Sequence, residues 1–473
     1  MRKLFLLIGL LTCLQINGQE LKVVSNIVDS IRLHYNDTNY AALYNLLNSD
    51  FKKNFSYTDH HTFYRENILK SMGKLKYAKY LQNKMGSECY LMYFENGNLE
   101  LSLFVDSKLK IAGLQWLPYK PEKINHLTKK TSYKSDSKKT SPLDLKVDSL
   151  VHDYMLGGAS CGLSIGIYQN GKIYYKNYGE ISRNAGKLPD SSSIFEIGSI
   201  TKTFTGLLLA KAVKEKKINL NDDIRKFLPK GYENLQYKNK AILVEHLANH
   251  TSGLASVPSN ISTLSNYDSL NPYQHYSKKH ILEYLKTVIP DTFPGAKNNY
   301  SNLGMAVLGI ILEEVNQQSY AEQIGALTSE MKLTSTAIEL SEELKTKLTK
   351  GYNYLGDETP YWNLNGFEAA GAIKSNSSDM MKYLLFNLKE GAEYIRLSHE
   401  LTWGDVNYGI GLGWHVIKTK YAHKLIWHNG GTYGYASFCG FIKEKDCAVI
   451  ILSNSGINVD AIGIGIFKYL QSN

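Results

Sequence analysis

Ser199 and Lys202 stand three residues apart in the stretch Ile194-Phe-Glu-Ile-Gly-Ser-Ile-Thr-Lys-Thr-Phe204. The apolar residues that follow, Phe204, Leu207, Leu208, Ala210 and Val213, have helical spacing. Gly198-Ser199 therefore reads as the entry to a helix that continues to about Lys217. Positions i and i+3 share a helix face, so the hydroxyl and the amine point into the same space. A serine hydroxyl becomes an effective nucleophile when a neighbouring base takes its proton. A lysine can be that base if burial or nearby positive charge keeps it neutral. The positive end of the helix favours a developing alkoxide. By itself, Ser-x-x-Lys is more often a solvent-facing pair on an amphipathic helix.

Two later stretches carry complementary chemistry. Asn299-Tyr300-Ser301-Asn302-Leu303-Gly304 opens a second helical pattern, Met305 to Val315. A tyrosine at 300 could relay the nucleophile's proton. Asn302 could hydrogen-bond a substrate amide together with Lys202. The plainer reading is a helix start capped by Ser301 or Asn302. The stretch Trp427-His428-Asn429-Gly430-Gly431-Thr432-Tyr433-Gly434-Tyr435 precedes a strand pattern. Its glycines let backbone approach a ligand closely, and free N–H groups there can form half of an oxyanion hole. His428 could hold a substrate carboxylate or steer the tyrosine's proton. The plainer reading is a glycine-rich turn. His246-Leu-Ala-Asn-His250 places two histidines at i and i+4. Leu247 stands where a zincin has glutamate, and no third ligand accompanies the pair, so no metal is expected.

The surrounding elements fall into four parts. Residues 1–18 read as a secretory signal: Arg2 and Lys3, then the apolar run Leu4 to Leu14, then a small residue before Gln19. The run is too short for a permanent membrane span. Cys13 offers a lipoprotein alternative, which would be the one route to a membrane. Residues 19–119 read as a small α+β domain, with helices over 21–35, 40–55 and 58–72, then strands over 89–94, 99–105 and 109–117. Asn96-Gly97 marks a hairpin. Helices first and a curled antiparallel sheet after resemble the cone-shaped NTF2-like domains, which implies an accessory module that binds or positions. Residues 120–142 are rich in Lys, Ser and Thr and read as a linker. Residues 143–473 begin and end with strand patterns around a long helical middle, which implies one antiparallel sheet flanked by helices.

Composition narrows the function classes. The hydrophobic share is 43% and the charged share 21%, as in a soluble globular protein. The net charge of +10 falls to about +8 without Arg2 and Lys3, and no nucleic-acid recognition motif accompanies it. A signal cut leaves Cys89, Cys161, Cys439 and Cys447, with no CxxC pair. Export permits a disulfide among the last three, and buried free thiols fit as well.

Taken in order, Ser-x-x-Lys at 199, Tyr-x-Asn at 300 and His-x-Gly at 428 resemble the motif set of the serine β-lactamase and penicillin-binding-protein superfamily. The closer likeness is to its class C and DD-peptidase-like branch. Wider phrases share it: Glu245-His-Leu-Ala-Asn-His-Thr-Ser-Gly-Leu254, Phe293-Pro-Gly295, Gly371-Ala372 with Ser375 and Asp379, and Gly409-Ile-Gly-Leu-Gly-Trp414. The resemblance covers about residues 145–471. It implies an α+β β-lactamase/DD-peptidase fold with an inserted helical region. It implies Ser199 as acylated nucleophile, Lys202 as its base, Tyr300 as proton relay, and Asn302, His428 and Gly430 as substrate-binding residues. The oxyanion hole would be the N–H groups of Ser199 and Gly431. No cofactor is implied. His428 fills a position where β-lactamases of this branch carry lysine, and Asn429 one where threonine is usual. That departure turns the expectation towards the peptidases and esterases. The expected function is an exported, secreted or periplasmic serine hydrolase acting on D-alanyl or D-amino-acid peptides, small esters or β-lactams. Its partner is a small-molecule or peptide substrate, peptidoglycan among them. A dedicated class C-like β-lactamase and a non-catalytic envelope-binding protein are the alternatives. Specificity is expected to lie in residues 256–280 and 341–368, whose own chemistry is not readable.

Overall fold

A computed structural model describes residues 22–84, 87–118, 129–290 and 292–472. The expected signal segment and Cys13 lie outside the described residues. The chain divides into two compact units, residues 1–124 and 125–473.

In the first unit, helix α1 (Lys22–Asn36) and shorter helices precede a four-stranded antiparallel sheet. Its strands are β1 (Leu75–Lys84), β2 (Ser87–Phe94), β3 (Asn98–Val105) and β4 (Ile111–Pro118), in that order. β1 was not expected, because lysines and tyrosines interleave in Leu75-Lys-Tyr-Ala-Lys-Tyr80 and blur the alternation. The helix expected over 40–55 is broken. Asn48 accepts the Phe51 N–H and starts a new helix at Ser49.

In the second unit, residues 129–141 do not stay free as a linker. The Gly179 N–H donates to the Lys134 carbonyl, and Asp136 accepts the Asn177 N–H. Ser141 caps helix α2 (Pro142–Leu156), and the Asp144 it faces forms a buried ion pair with Lys176. The sheet continues with β5 (Gly162–Gln169) and β6 (Lys172–Gly179). Helix α3 (Thr201–Lys214), helix α4 (Asn302–Asn316) and helix α5 (Ser377–Lys389) belong to the middle of the unit. Then come β7 (Trp403–Gly404), β8 (Tyr408–Ile410), β9 (His415–Lys418), β10 (Lys424–Gly431), β11 (Ala436–Ile442), β12 (Cys447–Ser453) and helix α6 (Asp460–Ser472). The eight-stranded antiparallel sheet runs β7-β8-β9-β10-β11-β12-β5-β6.

Both faces of this sheet are covered, so its central strands read as continuous apolar runs. In β12, Cys447, Val449 and Ile451 pack with α2 and α6, while Ala448, Ile450 and Leu452 face the helical core containing α3. The period of two assigns each side chain to its layer. Gly411–Trp414 is the turn between β8 and β9, closed where the Gly411 N–H meets the Trp414 carbonyl. The stretch from Trp427 to Gly431 is the end of a paired strand, not a turn. Cys161, Cys439 and Cys447 are free and buried, and Cys89 is buried as well. No helix among the described residues is long and apolar enough to cross a membrane.

Candidate active site

Ser199 lies on a single 3-10 turn, Gly198–Ile200, that feeds directly into α3. Gly198 makes the turn possible: its φ is +50°, and a Cβ there would lie 2.7 Å from the Gly431 nitrogen. Gly430 is constrained from the other side, since its Cβ would lie 3.0 Å from the Ser199 nitrogen. Only glycines allow the backbones at 198–199 and 430–431 to come this close. The two N–H groups named from sequence, on Ser199 and Gly431, are thereby brought together from elements more than two hundred residues apart.

Lys202, one helical turn after Ser199, is fully buried. Its Nζ donates to Ser199 Oγ at 3.0 Å and to the Ala370 carbonyl at 2.6 Å. Burial alone drives its pKa well below the ordinary lysine value. The same amine lies 4.8 Å from the centre of the Tyr300 ring. Burial raises the Tyr300 phenol, and the Ser199 hydroxyl beside it pulls the other way. Ser301 caps α4 through the Gly304 N–H, which fixes Tyr300 just before the helix. Asn302 is nearby, but its amide nitrogen is given to the Tyr273 hydroxyl at 3.1 Å rather than to Lys202.

His428 is 1% exposed. Its Nδ1 meets the Asn429 carbonyl, which leaves Nε2 buried without a partner. Its ring lies 6.3 Å from that of Tyr300. Burial is the main cause that holds it far below the ordinary histidine range; His415, Lys202 and His250 add to it. A neutral, buried imidazole offers no charge to a substrate carboxylate, so the geometry suits the steering role. Asn429 faces away from the site and donates to Asp460 at 2.7 Å.

Three further groups contribute, of which the sequence points only to His250, and there as half of a histidine pair. The Ala370 carbonyl anchors Lys202. His250 accepts the Ser301 N–H and stacks 4.5 Å from Tyr300. His415 lies 4.9 Å from His428, and its pKa is pushed down to about 4 by burial and by Lys202. His415 directly follows the Gly409–Trp414 phrase, which was its one sequence signal. The suspected metal pair is used otherwise: His246 accepts the Leu243 N–H, and His250 holds Ser301. Among the described residues, no three His, Cys, Asp or Glu side chains are grouped to hold a metal ion.

Known proteins share the family and the fold of the second unit. The family model described as Beta-lactamase matches residues 147–464. Protein flp of Staphylococcus aureus (strain MRSA252) is 26% identical over 333 residues, covering 67% of this chain and 64% of that protein. The chain thus spans less than two thirds of the length of such relatives. A β-lactamase of Providencia stuartii is 26% identical over 354 residues, covering 66% of this chain and 87% of its own. A β-lactamase/D-alanine carboxypeptidase from Pseudomonas syringae superposes with a TM-score of 0.61 at 22% identity, over 70% of this chain and 99% of its own. The octameric penicillin-binding protein homologue from Pyrococcus abyssi gives a TM-score of 0.60 at 25% identity, over 69% and 77%.

Proposed function

The chain belongs to the β-lactamase family, and from that premise we propose that it is an exported serine hydrolase of the peptidase or esterase kind, working through an acyl-enzyme on Ser199. The family and fold make it a serine hydrolase acting on an amide, an ester or a β-lactam. The finer reading rests on one observation. Lys202 is completely buried, that burial drives its pKa well down, and it donates to Ser199 Oγ at 3.0 Å.

In this reading the Ser199 hydroxyl proton passes to Lys202 as Oγ bonds to the substrate carbonyl carbon. The oxyanion receives the N–H groups of Ser199 and Gly431. The bond to the leaving nitrogen or oxygen then breaks, and that atom takes a proton delivered through Tyr300. Water adds to the acyl carbon, releases the acid and returns the proton to Ser199. Asn302 and Gly430 line the site. The neutral His428 steers Tyr300 and supplies no cation, which favours this reading over a dedicated β-lactamase. Export rests on the N-terminal sequence, and the first unit is read as an accessory module of NTF2-like pattern.

Intact-mass labelling of the purified protein with a fluorophosphonate and with a penicillin, wild type beside Ser199→Ala, tests the reading. A Ser199-dependent adduct with a long-lived penicilloyl species is expected. Rapid penicillin turnover would point to a β-lactamase. Folded protein that takes neither reagent would sink the acyl-enzyme altogether.

A further inference from the structure

Resting on the acyl-enzyme reading, we propose that Tyr273, Trp362 and Tyr433 form an aromatic rail that binds a flat, uncharged group of the substrate, so that aryl-bearing esters or amides are preferred to carboxylate-ended peptides. The three rings come from three separate segments. Tyr273 and Trp362 meet edge to face at 5.5 Å, and Trp362 and Tyr433 at 5.2 Å. The row is tied to the site at three points. The Tyr273 hydroxyl accepts from Asn302. The Trp362 N–H donates to Glu196 Oε1 at 2.7 Å, three residues before the nucleophile. Tyr433 follows Gly431 by two residues and is 41% exposed.

The rail is built in advance of any ligand. Trp362 Nε1 donates to the Leu270 carbonyl at 3.0 Å. The Asn363 N–H donates to Asn271 Oδ1 at 3.1 Å, and Asn271 Nδ2 to the Tyr361 carbonyl at 3.2 Å. These bonds join two loops and hold the rings, so little ordering entropy is lost on binding. Tyr273 is buried against Phe367 and backs the row, while the half-buried Trp362 and the exposed Tyr433 offer ring faces to a further flat group.

The charges around the rail disfavour an anion. His428 is neutral and buried, and Asn429 is turned to Asp460. Asp268 lies close enough to Tyr267 and Tyr433 to help raise both phenols, burial being the larger cause. Lys350, over the Tyr361 ring at 5.6 Å, is already paired with Glu358 at 3.0 Å.

The test compares kcat/KM of wild type for a phenylacetyl ester of a small alcohol, for phenyl acetate, for size-matched alkyl esters on each side, and for a peptide ending in D-alanyl-D-alanine. The two aryl arms show on which side of the scissile bond the ring sits. At least about a tenfold aryl preference is expected on one side, in line with one or two aromatic contacts. Trp362→Ala and Tyr433→Ala should bring that ratio to within about threefold of unity, through a higher KM for the aryl ester. Trp362→Phe, which keeps a ring and loses the bond to Leu270, should retain most of it. An aryl preference unchanged in both alanine variants, or a better rate on the D-alanyl peptide than on any aryl ester, overturns the rail. Fluorophosphonate labelling of Ser199 is run on every variant: labelling without aryl preference refutes the rail alone, while absent labelling in the wild type refutes the acyl-enzyme beneath it.

Discussion

The imidazoles of His415 and His428 face each other with ring centroids 4.9 Å apart and planes inclined by 38°. Lys202 and His250 crowd the same space, and the Tyr408 hydroxyl approaches His415 from the sheet edge at 3.5 Å. Protonating one ring makes every neighbour harder to protonate.

This cluster gives a pH dependence of stability. The His415 pKa falls from 6.5 to about 4 on folding. Between those values the unfolded chain binds protons that the folded site refuses, so stability falls as pH falls. Thermal midpoints of wild type and His415→Gln, measured from pH 7 to pH 4, should diverge in slope. The wild type should lose about 3 kcal/mol more over that range. Parallel curves would show that His415 is not a buried neutral base.

Lys202→Met should separate activity from stability. Ester or amide turnover should drop about 10³-fold or more, within the range of a lost general base. The folded state depresses the lysine pKa, so wild-type stability is reduced at neutral pH and recovers as pH rises towards the ordinary lysine value. Chemical denaturation of the two proteins at pH 7 and pH 10 should show the wild type gaining on the variant at the higher pH.

Gly198→Ala tests the backbone crossing. A methyl group 2.7 Å from the Gly431 nitrogen, at φ +50°, must push the two strands of backbone apart. A kcat loss of about 10²-fold or more is expected, comparable to removing one oxyanion donor. A variant with wild-type kcat would remove Gly431 from the oxyanion role.

Asp144→Ala tests the segment 129–141. Asp144 pairs with the buried Lys176 and accepts the N–H groups of Thr140 and Ser141, each at 3.1 Å. Removing it strands a buried ammonium, and urea unfolding should show a loss of about 3 kcal/mol. Adding Lys176→Met should restore part of it.

The sequence by itself determined the chemistry. Ser199, Lys202, Tyr300 and the Gly430-Gly431 pair were legible because each sits in a short phrase whose local form, a helix entry or a close backbone approach, is written in neighbouring residues. Tertiary structure decided what those groups experience. The Lys202 pKa is driven down because α3 is buried by residues far away in the chain, and no local pattern encodes that burial. The role of His415 was not readable because its partner, His428, is on the next strand, and register depends on pairing. The wall made by Tyr273, Trp362 and Tyr433 was unreadable for the same reason: three irregular segments carry no periodicity, and only hydrogen bonds between them bring the rings into one row.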